Sequence, residues 1–184
     1  AITNLPATWK DISILINNAG LASGFSRFHE LDLNDMETMI DTNVKGLIYI
    51  SRLVIPIMVE RKEGHVVNIG SIAGHEVYPK GNIYCATKHA VDALTKGMRM
   101  DLLDTPVRVS TVDPGLVETE FSRVRFQGDT KRAARVYENM TPLVADDIAD
   151  IVLFIVSRPA HVQIGEVIVF PTDQAAATMV HRRS

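Results

Sequence analysis

Three short apolar runs, each closing on small or polar residues, constrain the fold of this chain more than any other feature. Ile14-Leu15-Ile16 ends in Asn17-Asn18-Ala19-Gly20, His65-Val66-Val67-Asn68-Ile69 ends in Gly70-Ser71, and Val107-Arg108-Val109-Ser110-Thr111-Val112 ends in Asp113-Pro114-Gly115. Long stretches of helical character separate them. Largely apolar strands alternating with helices argue for a parallel sheet covered on both faces, because only such a sheet buries its strands from both sides. Ligands of these sheets bind beyond the carboxyl ends of the strands, where Asn18, Ser71 and Pro114-Gly115 would lie.

The pattern predicts strands over 13–18, 65–69, 107–112 and 166–170, and helices over 33–61, 83–103 and 145–157. Asn34, followed by an acidic turn, is the expected cap of the first helix. Within that helix Asn43 and Gly46 are poor helix formers, and Pro56 is expected to kink or divide it. Ala90, Leu94, Met98 and Leu102 form an apolar stripe along the second helix. Residues 118–139 read as an irregular, charged segment. The helices around 43–59 and 83–103 carry more apolar surface than one sheet face can cover, so pairing with a second subunit is expected.

Composition narrows the function. A chain of 184 residues can bury one substantial core, and nothing divides residues 1–184 into two domains. The net charge of −3 is dispersed, which argues against a nucleic-acid partner. A single cysteine, Cys85, excludes an internal disulfide and suits a reducing, cytoplasmic setting, with Cys85 itself read as a small packing residue. The apolar stretch 47–59 is interrupted by Arg52 and Pro56 and is too short for a membrane span. The six histidines lack ligand spacing, so no metal site is expected. Gly70-Ser71-Ile72-Ala73-Gly74 is not a hydrolase elbow, because glycine directly precedes the serine.

Tyr84 and Lys88 carry the chemistry. They stand four residues apart at the head of the predicted helix 83–103, so both lie on one face. A free phenol titrates near pH ~10 and is a poor base at neutral pH, but an adjacent ammonium favours the phenolate. Such a pair suits the proton transfers of reversible carbonyl–alcohol chemistry.

Asn17-Asn18-Ala19-Gly20, Asn43-Val44-Lys45-Gly46, Gly70-Ser71, Tyr84-x-x-x-Lys88 and Asp113-Pro114-Gly115 occur in an order and spacing that resemble the short-chain dehydrogenase/reductase family. The run 115–129 and the closing Val180-His181-Arg182-Arg183 resemble a narrower branch, the NADP-dependent dehydrogenases of serine, allo-threonine and related 3-hydroxy acids. The resemblance implies a Rossmann-like doubly wound parallel sheet, with residues 1–184 forming roughly the C-terminal two-thirds of one dinucleotide-binding domain. The glycine-rich strand–turn–helix that receives a pyrophosphate does not occur in this sequence, and the working polypeptide is expected to be longer.

By the same resemblance Tyr84 is the acid/base, Ser71 bonds the substrate oxygen, and Lys88 lowers the tyrosine pKa and holds the nicotinamide ribose. Asn43 links the lysine to solvent through ordered water. Asn18, Ala19, Gly20, Tyr84, Lys88, Pro114, Gly115, Val117 and Thr119 are the implied cofactor contacts, for NADP with NAD left open. A carboxylate substrate needs a guanidinium, for which Arg123 and Arg125 are the candidates. A homodimer or homotetramer is implied. Two other readings stand beside this one. A sugar-nucleotide epimerase or dehydratase shares Tyr-x-x-x-Lys but normally carries a larger C-terminal portion. The other is a non-catalytic fragment or binding module that retains the motifs.

Overall fold

Register, rather than propensity, decides what each strand buries. The computed structural model describes residues 2–6, 8 and 10–183. All four predicted strands are present: β1 (Ile14–Asn17), β2 (Gly64–Ile69), β3 (Val107–Pro114) and β4 (Glu166–Val169) form one parallel sheet in that order. Val66 pairs with Val109 and Val67 with Ser110, so successive residues address opposite faces. The helices are α1 (Leu33–Ile40), α2 (Leu47–Arg61), α3 (Asn82–Asp101), α4 (Phe121–Arg125), α5 (Thr130–Arg135) and α6 (Ala145–Val156).

On one face Val66, Val107 and Val109 pack with Val54 and Met58 of α2 and with Met98 and Leu102 at the end of α3. On the other, Val67 and Val112 pack with Val152 and Ile155 of α6. The sheet is thus wound on both sides. Each fully buried valine contributes about 1.5–3 kcal/mol of transfer free energy. β1 forms the outer edge of the described sheet, and Ile14 and Ile16 remain half-exposed there.

The first long helix departs from its predicted form in two ways. Its cap is Asp32, whose carboxylate accepts from the backbone N–H groups of Asn34 and Asp35, rather than Asn34. Its break is not at Pro56, which sits inside an uninterrupted α2 on the exposed side. The backbone instead widens into a π-helical segment over Asp41–Gly46. That widening turns Asn43 inward, where its amide finds partners described below; π-bulges of this kind often occur at functional sites.

Helical backbone runs from Leu33 to Arg61, long and apolar enough by length and composition to cross a membrane. The continuous helix expected over 33–61 is present, and the apolar stretch 47–59, too short by itself for a membrane span, is only part of that longer apolar run. Met39, Leu47, Val54 and Met58 of this run face the core, while Tyr49 and Leu53 face outward.

Of the predicted stripe Ala90, Leu94, Met98 and Leu102, the last two pack on the core, but the buried face of α3 is Tyr84, Lys88, Val91 and Thr95. Polar members of that face are tolerated because each is bonded. Asn17 donates to Ser51 Oγ and Asn68 Oδ1, Asn68 donates to Thr95 Oγ1, and Thr95 donates to the Val91 carbonyl. Asn17 is therefore a tie between sheet and helices. Cys85 is fully buried, as expected of a packing residue. The segment 118–139 is not irregular: Asp129 accepts from the Arg132 N–H and starts α5. A small hairpin, β5 (Gln174–Ala176) with β6 (Met179–Val180), follows β4 and had no sequence signal.

Candidate active site

The site assembles where β2 and β3 end and α3 begins. Tyr78-Pro79-Lys80-Gly81 turns the chain into α3, with Gly81 so close under the Tyr78 ring that a side chain there would collide with it. Asn82 Oδ1 accepts from the Ile83 N–H and the helix begins. One turn on, Tyr84 and Lys88 both point inward, 8% and 7% exposed. Lys88 Nζ donates to the Ile69 carbonyl at 2.9 Å, which ties α3 to the end of β2. The turn after β2 packs hard against α3, since a Cβ on Gly74 would fall 2.8 Å from the Lys88 carbonyl oxygen.

Ser71 opens that turn. Its hydroxyl accepts from the Ala73 N–H at 3.1 Å and donates toward the Pro114 carbonyl at 3.5 Å. Its own N–H donates to Asp113 Oδ1 at 3.2 Å. Burial pushes the Lys88 ammonium down to about 8, while the Asp113 carboxylate pulls it back up. Burial likewise pushes the Tyr84 phenol above its ordinary value, and the neighbouring Ser71 hydroxyl acts against that rise. The expected lowering by Lys88 does not appear: its ammonium lies 5.9 Å from the ring centroid and spends a hydrogen bond on Ile69, and the nearby positive charge that acts against the rise is Arg125.

Asn43 has a more direct position than the water link implied for it. Its Oδ1 accepts from the Leu21 N–H at 2.8 Å, and its Nδ2 donates to the Leu21 carbonyl at 2.8 Å and to Thr87 Oγ1 at 3.0 Å. It clamps the segment after β1 to the helix that carries Lys88. Asn18, Ala19 and Gly20 lie exposed on that segment. A methyl at Gly20 would sit 3.5 Å from both Asn43 Oδ1 and Lys88 Nζ, so these groups share one corner.

The opposite rim is 114–119. Gly115 N–H donates to the Val169 carbonyl at 2.7 Å, Leu116 N–H to Gln174 Oε1 at 2.8 Å, and Tyr137 Oη to the Val117 carbonyl at 2.8 Å. Pro114 is buried and Thr119 is exposed, its hydroxyl accepting from the Phe121 N–H.

The structure separates the two candidate arginines. Arg123 is exposed and paired with Glu120 at 2.9 Å, outside the site. Arg125 turns inward. Its guanidinium carbon stands 4.9, 5.3 and 5.6 Å from the ring centroids of Phe25, Tyr78 and Tyr84. Its Nη2 donates to Tyr78 Oη at 2.9 Å, and its buried Nε has no partner among the described residues. Arg125 and Tyr84 line the same cleft with Ser23, Met39, Lys80 and Asn82. Sequence reasoning missed Phe25 and Tyr78, because their contact with Arg125 joins segments distant in the chain. It also missed the role of Asp113, and the approach of His75 to Asp113 (3.2 Å) and Glu166 (3.7 Å).

The profile of the family described as short chain dehydrogenase matches residues 1–130. An NADP-dependent 3-hydroxy acid dehydrogenase of Schizosaccharomyces pombe is 46% identical over 182 residues, covering 99% of this chain and 70% of that protein. The NADP-dependent 3-hydroxy acid dehydrogenase YdfG of Salmonella typhi is 50% identical over 183 residues, covering 98% of this chain and 74% of that one. Among solved structures, the closed form of a serine dehydrogenase complexed with NADP+ superimposes with a TM-score of 0.94 at 47% identity, covering 99% of this chain and 74% of that chain.

Proposed function

We infer, from the premise that this chain belongs to the short-chain dehydrogenase family, that it is an NADP-dependent oxidoreductase interconverting a 3-hydroxy acid and its 3-oxo acid. The observation that carries this reading is the guanidinium of half-buried Arg125 standing over the Tyr84 ring, with Ser71 and Lys88 beside that tyrosine. Residues 1–184 are read as part of one dinucleotide-binding domain.

The donor set suits a dinucleotide. Lys88 uses one of three N–H bonds on Ile69, leaving donors for ribose hydroxyls. Exposed Asn18, Ala19 and Gly20, with Pro114, Gly115, Val117 and Thr119 on the opposite rim, offer backbone and hydroxyl partners. When bound, NADP supplies the hydride acceptor, and the protein supplies geometry and electrostatics. In the oxidative direction Tyr84 takes the hydroxyl proton as the same carbon gives up its hydride. Ser71 holds the substrate oxygen, and Arg125 anchors the carboxylate through two parallel hydrogen bonds. A phenol kept protonated by burial is ready to donate in the reverse direction, so reduction is favoured at lower pH and oxidation at higher pH.

The test is kinetic. With NADP, Arg125→Ala lowers kcat/KM for 3-hydroxy acids on the order of tenfold to a hundredfold, the value of a charge-assisted bond. It leaves a neutral alcohol of the same skeleton much less affected, and Arg123→Ala changes neither. An equal loss for both substrates assigns Arg125 to ordering the cleft instead. Failure of the unaltered protein to turn over any hydroxy acid with NADP or NAD would leave it a binding module.

Assembly belongs to the same proposal. Tyr49 and Leu53 of α2 and Leu153 and Phe154 of α6 expose apolar surface on opposite faces of the sheet. Two such surfaces fit a two-fold dimer and a tetramer built as a dimer of dimers, in the cytoplasm. Light scattering at micromolar concentration is expected to report a dimer or tetramer, and a Leu53→Glu/Tyr49→Glu double variant a smaller species. A monomer in both cases rules the assembly out.

A further inference from the structure

Asp113 is fully buried in β3, yet no step above uses it. Its Oδ1 accepts from the Ser71 N–H at 3.2 Å and from Thr111 Oγ1 at 3.0 Å. It lies so close beneath Gly70 that a side chain at that position would collide with it. The carboxylate therefore sits under the backbone Ile69-Gly70-Ser71. The Ile69 carbonyl of that stretch receives Lys88, and its far end carries the Ser71 hydroxyl.

We propose that Asp113 is a positioning residue that couples the Ser71 turn to Lys88, fixing the one through a hydrogen bond and supporting the other as its buried counter-charge. The proposal rests on the catalytic roles read for Ser71 and Lys88.

The surrounding charges fit this role. Oδ2 of Asp113 faces His75 Nε2 at 3.2 Å, without the alignment of a hydrogen bond. Glu166 of β4 lies 3.7 Å from the same imidazole nitrogen, and Lys96 of α3 compensates Glu166 at 3.7 Å and Asp92 at 2.8 Å. His75, Asp113 and Glu166 bring three ligand-capable atoms within 4.8 Å of one another. Lys96, beside Glu166, offsets part of the negative charge of this group. Burial pushes the Asp113 carboxyl up, while Thr111 and His75 hold it down, against the nearby Glu166. On Lys88, the Asp113 charge is the one influence opposing desolvation. Without that charge, Lys88 would give up its proton nearer neutrality and lose its hold on the phenol and the ribose.

Asp113→Asn keeps an acceptor for the Ser71 N–H and removes only the charge. In protein carrying lysine labelled at 13Cε, NMR titration is expected to show the Lys88 midpoint lowered by about one unit. The alkaline limb of kcat should move down with it, while the circular dichroism spectrum is unchanged. A Lys88 midpoint identical to that of the unaltered protein overturns the proposal. Should Asp113→Asn fail to fold, Lys88→Met supplies the reciprocal measurement. Coupling is mutual, so loss of the ammonium must raise the Asp113 carboxyl titration read at 13Cγ. No movement there overturns the proposal equally. The NMR readouts need no turnover, so an inactive protein would refute the proposed activity and leave this coupling to be decided separately.

Discussion

Tyr84→Phe lowers kcat for hydroxy-acid oxidation on the order of a hundredfold or more, with NADP affinity and thermal stability nearly unchanged. The ring is buried against Phe121, at 5.4 Å between centroids, and that packing survives the substitution. Only the hydroxyl is lost, and with it the proton acceptor of the oxidative step and the donor of the reverse one. General acid–base catalysis contributes about 10²–10⁴-fold, which sets the scale. Steady-state kinetics in both directions, with calorimetric titration of NADP, check the result. A variant turning over within a few-fold of the original would remove Tyr84 from the mechanism. The residual rate should also lose the rise with pH that a titrating phenol imposes, because phenylalanine has no proton to exchange.

Lys88→Met combines a large loss of function with a gain in stability. Turnover falls on the order of a hundredfold or more, because the ammonium assists the phenol, and NADP binding weakens with the lost ribose donors. The stability effect follows from the depressed pKa. Lys88 titrates near 8 when folded and near the ordinary 10.5 when unfolded. Between those values the unfolded chain binds a proton that the folded chain has released, so stability rises with pH across that window. Below about pH 8 the folded protein carries a buried charge, at a cost of about 3 kcal/mol for a shift of this size. Methionine removes that cost, while leaving the Ile69 carbonyl without its donor gives back about 1–2 kcal/mol. The variant should therefore be about 1–2 kcal/mol more stable at pH 7, a rise in Tm of about 2–8 °C. Its stability should show no rise between pH 8 and 10.5. Denaturant melts at several pH values would expose a contradiction: a variant less stable at pH 7, or one keeping the alkaline rise, sinks the argument. Stability lost to a functional charge is a common trade at active sites.

The legible parts of the sequence were those governed by local periodicity. Ile14-Leu15-Ile16, His65–Ile69 and Val107–Val112 emerged as strands because apolar runs closed by small residues have few other uses, and all of them pair in parallel. Tyr84 and Lys88 were placed on one helical face by their spacing alone, and both are buried there. The less legible parts were those where a distant partner decides. The widened turn at Asp41–Gly46 exists alongside the bonds of Asn43 to Leu21 and Thr87, residues far from it in the chain. The bonded Thr95, not an apolar residue, fills the centre of the α3 interface because Asn68 reaches it from the sheet.

By itself the sequence determined the class of fold, the strand ends that carry the site, and the pairing of a phenol with an ammonium, since each follows from local spacing and side-chain chemistry. Only the tertiary structure distinguished Arg123 from Arg125, because the guanidinium of Arg125 gathers the rings of Phe25, Tyr78 and Tyr84 while Arg123 pairs with Glu120 at the surface. It also decided the direction in which the pKa values of Tyr84 and Lys88 move. Desolvation depends on how much of the chain folds over a group, and burial here outweighs the neighbouring charge at both Tyr84 and Lys88.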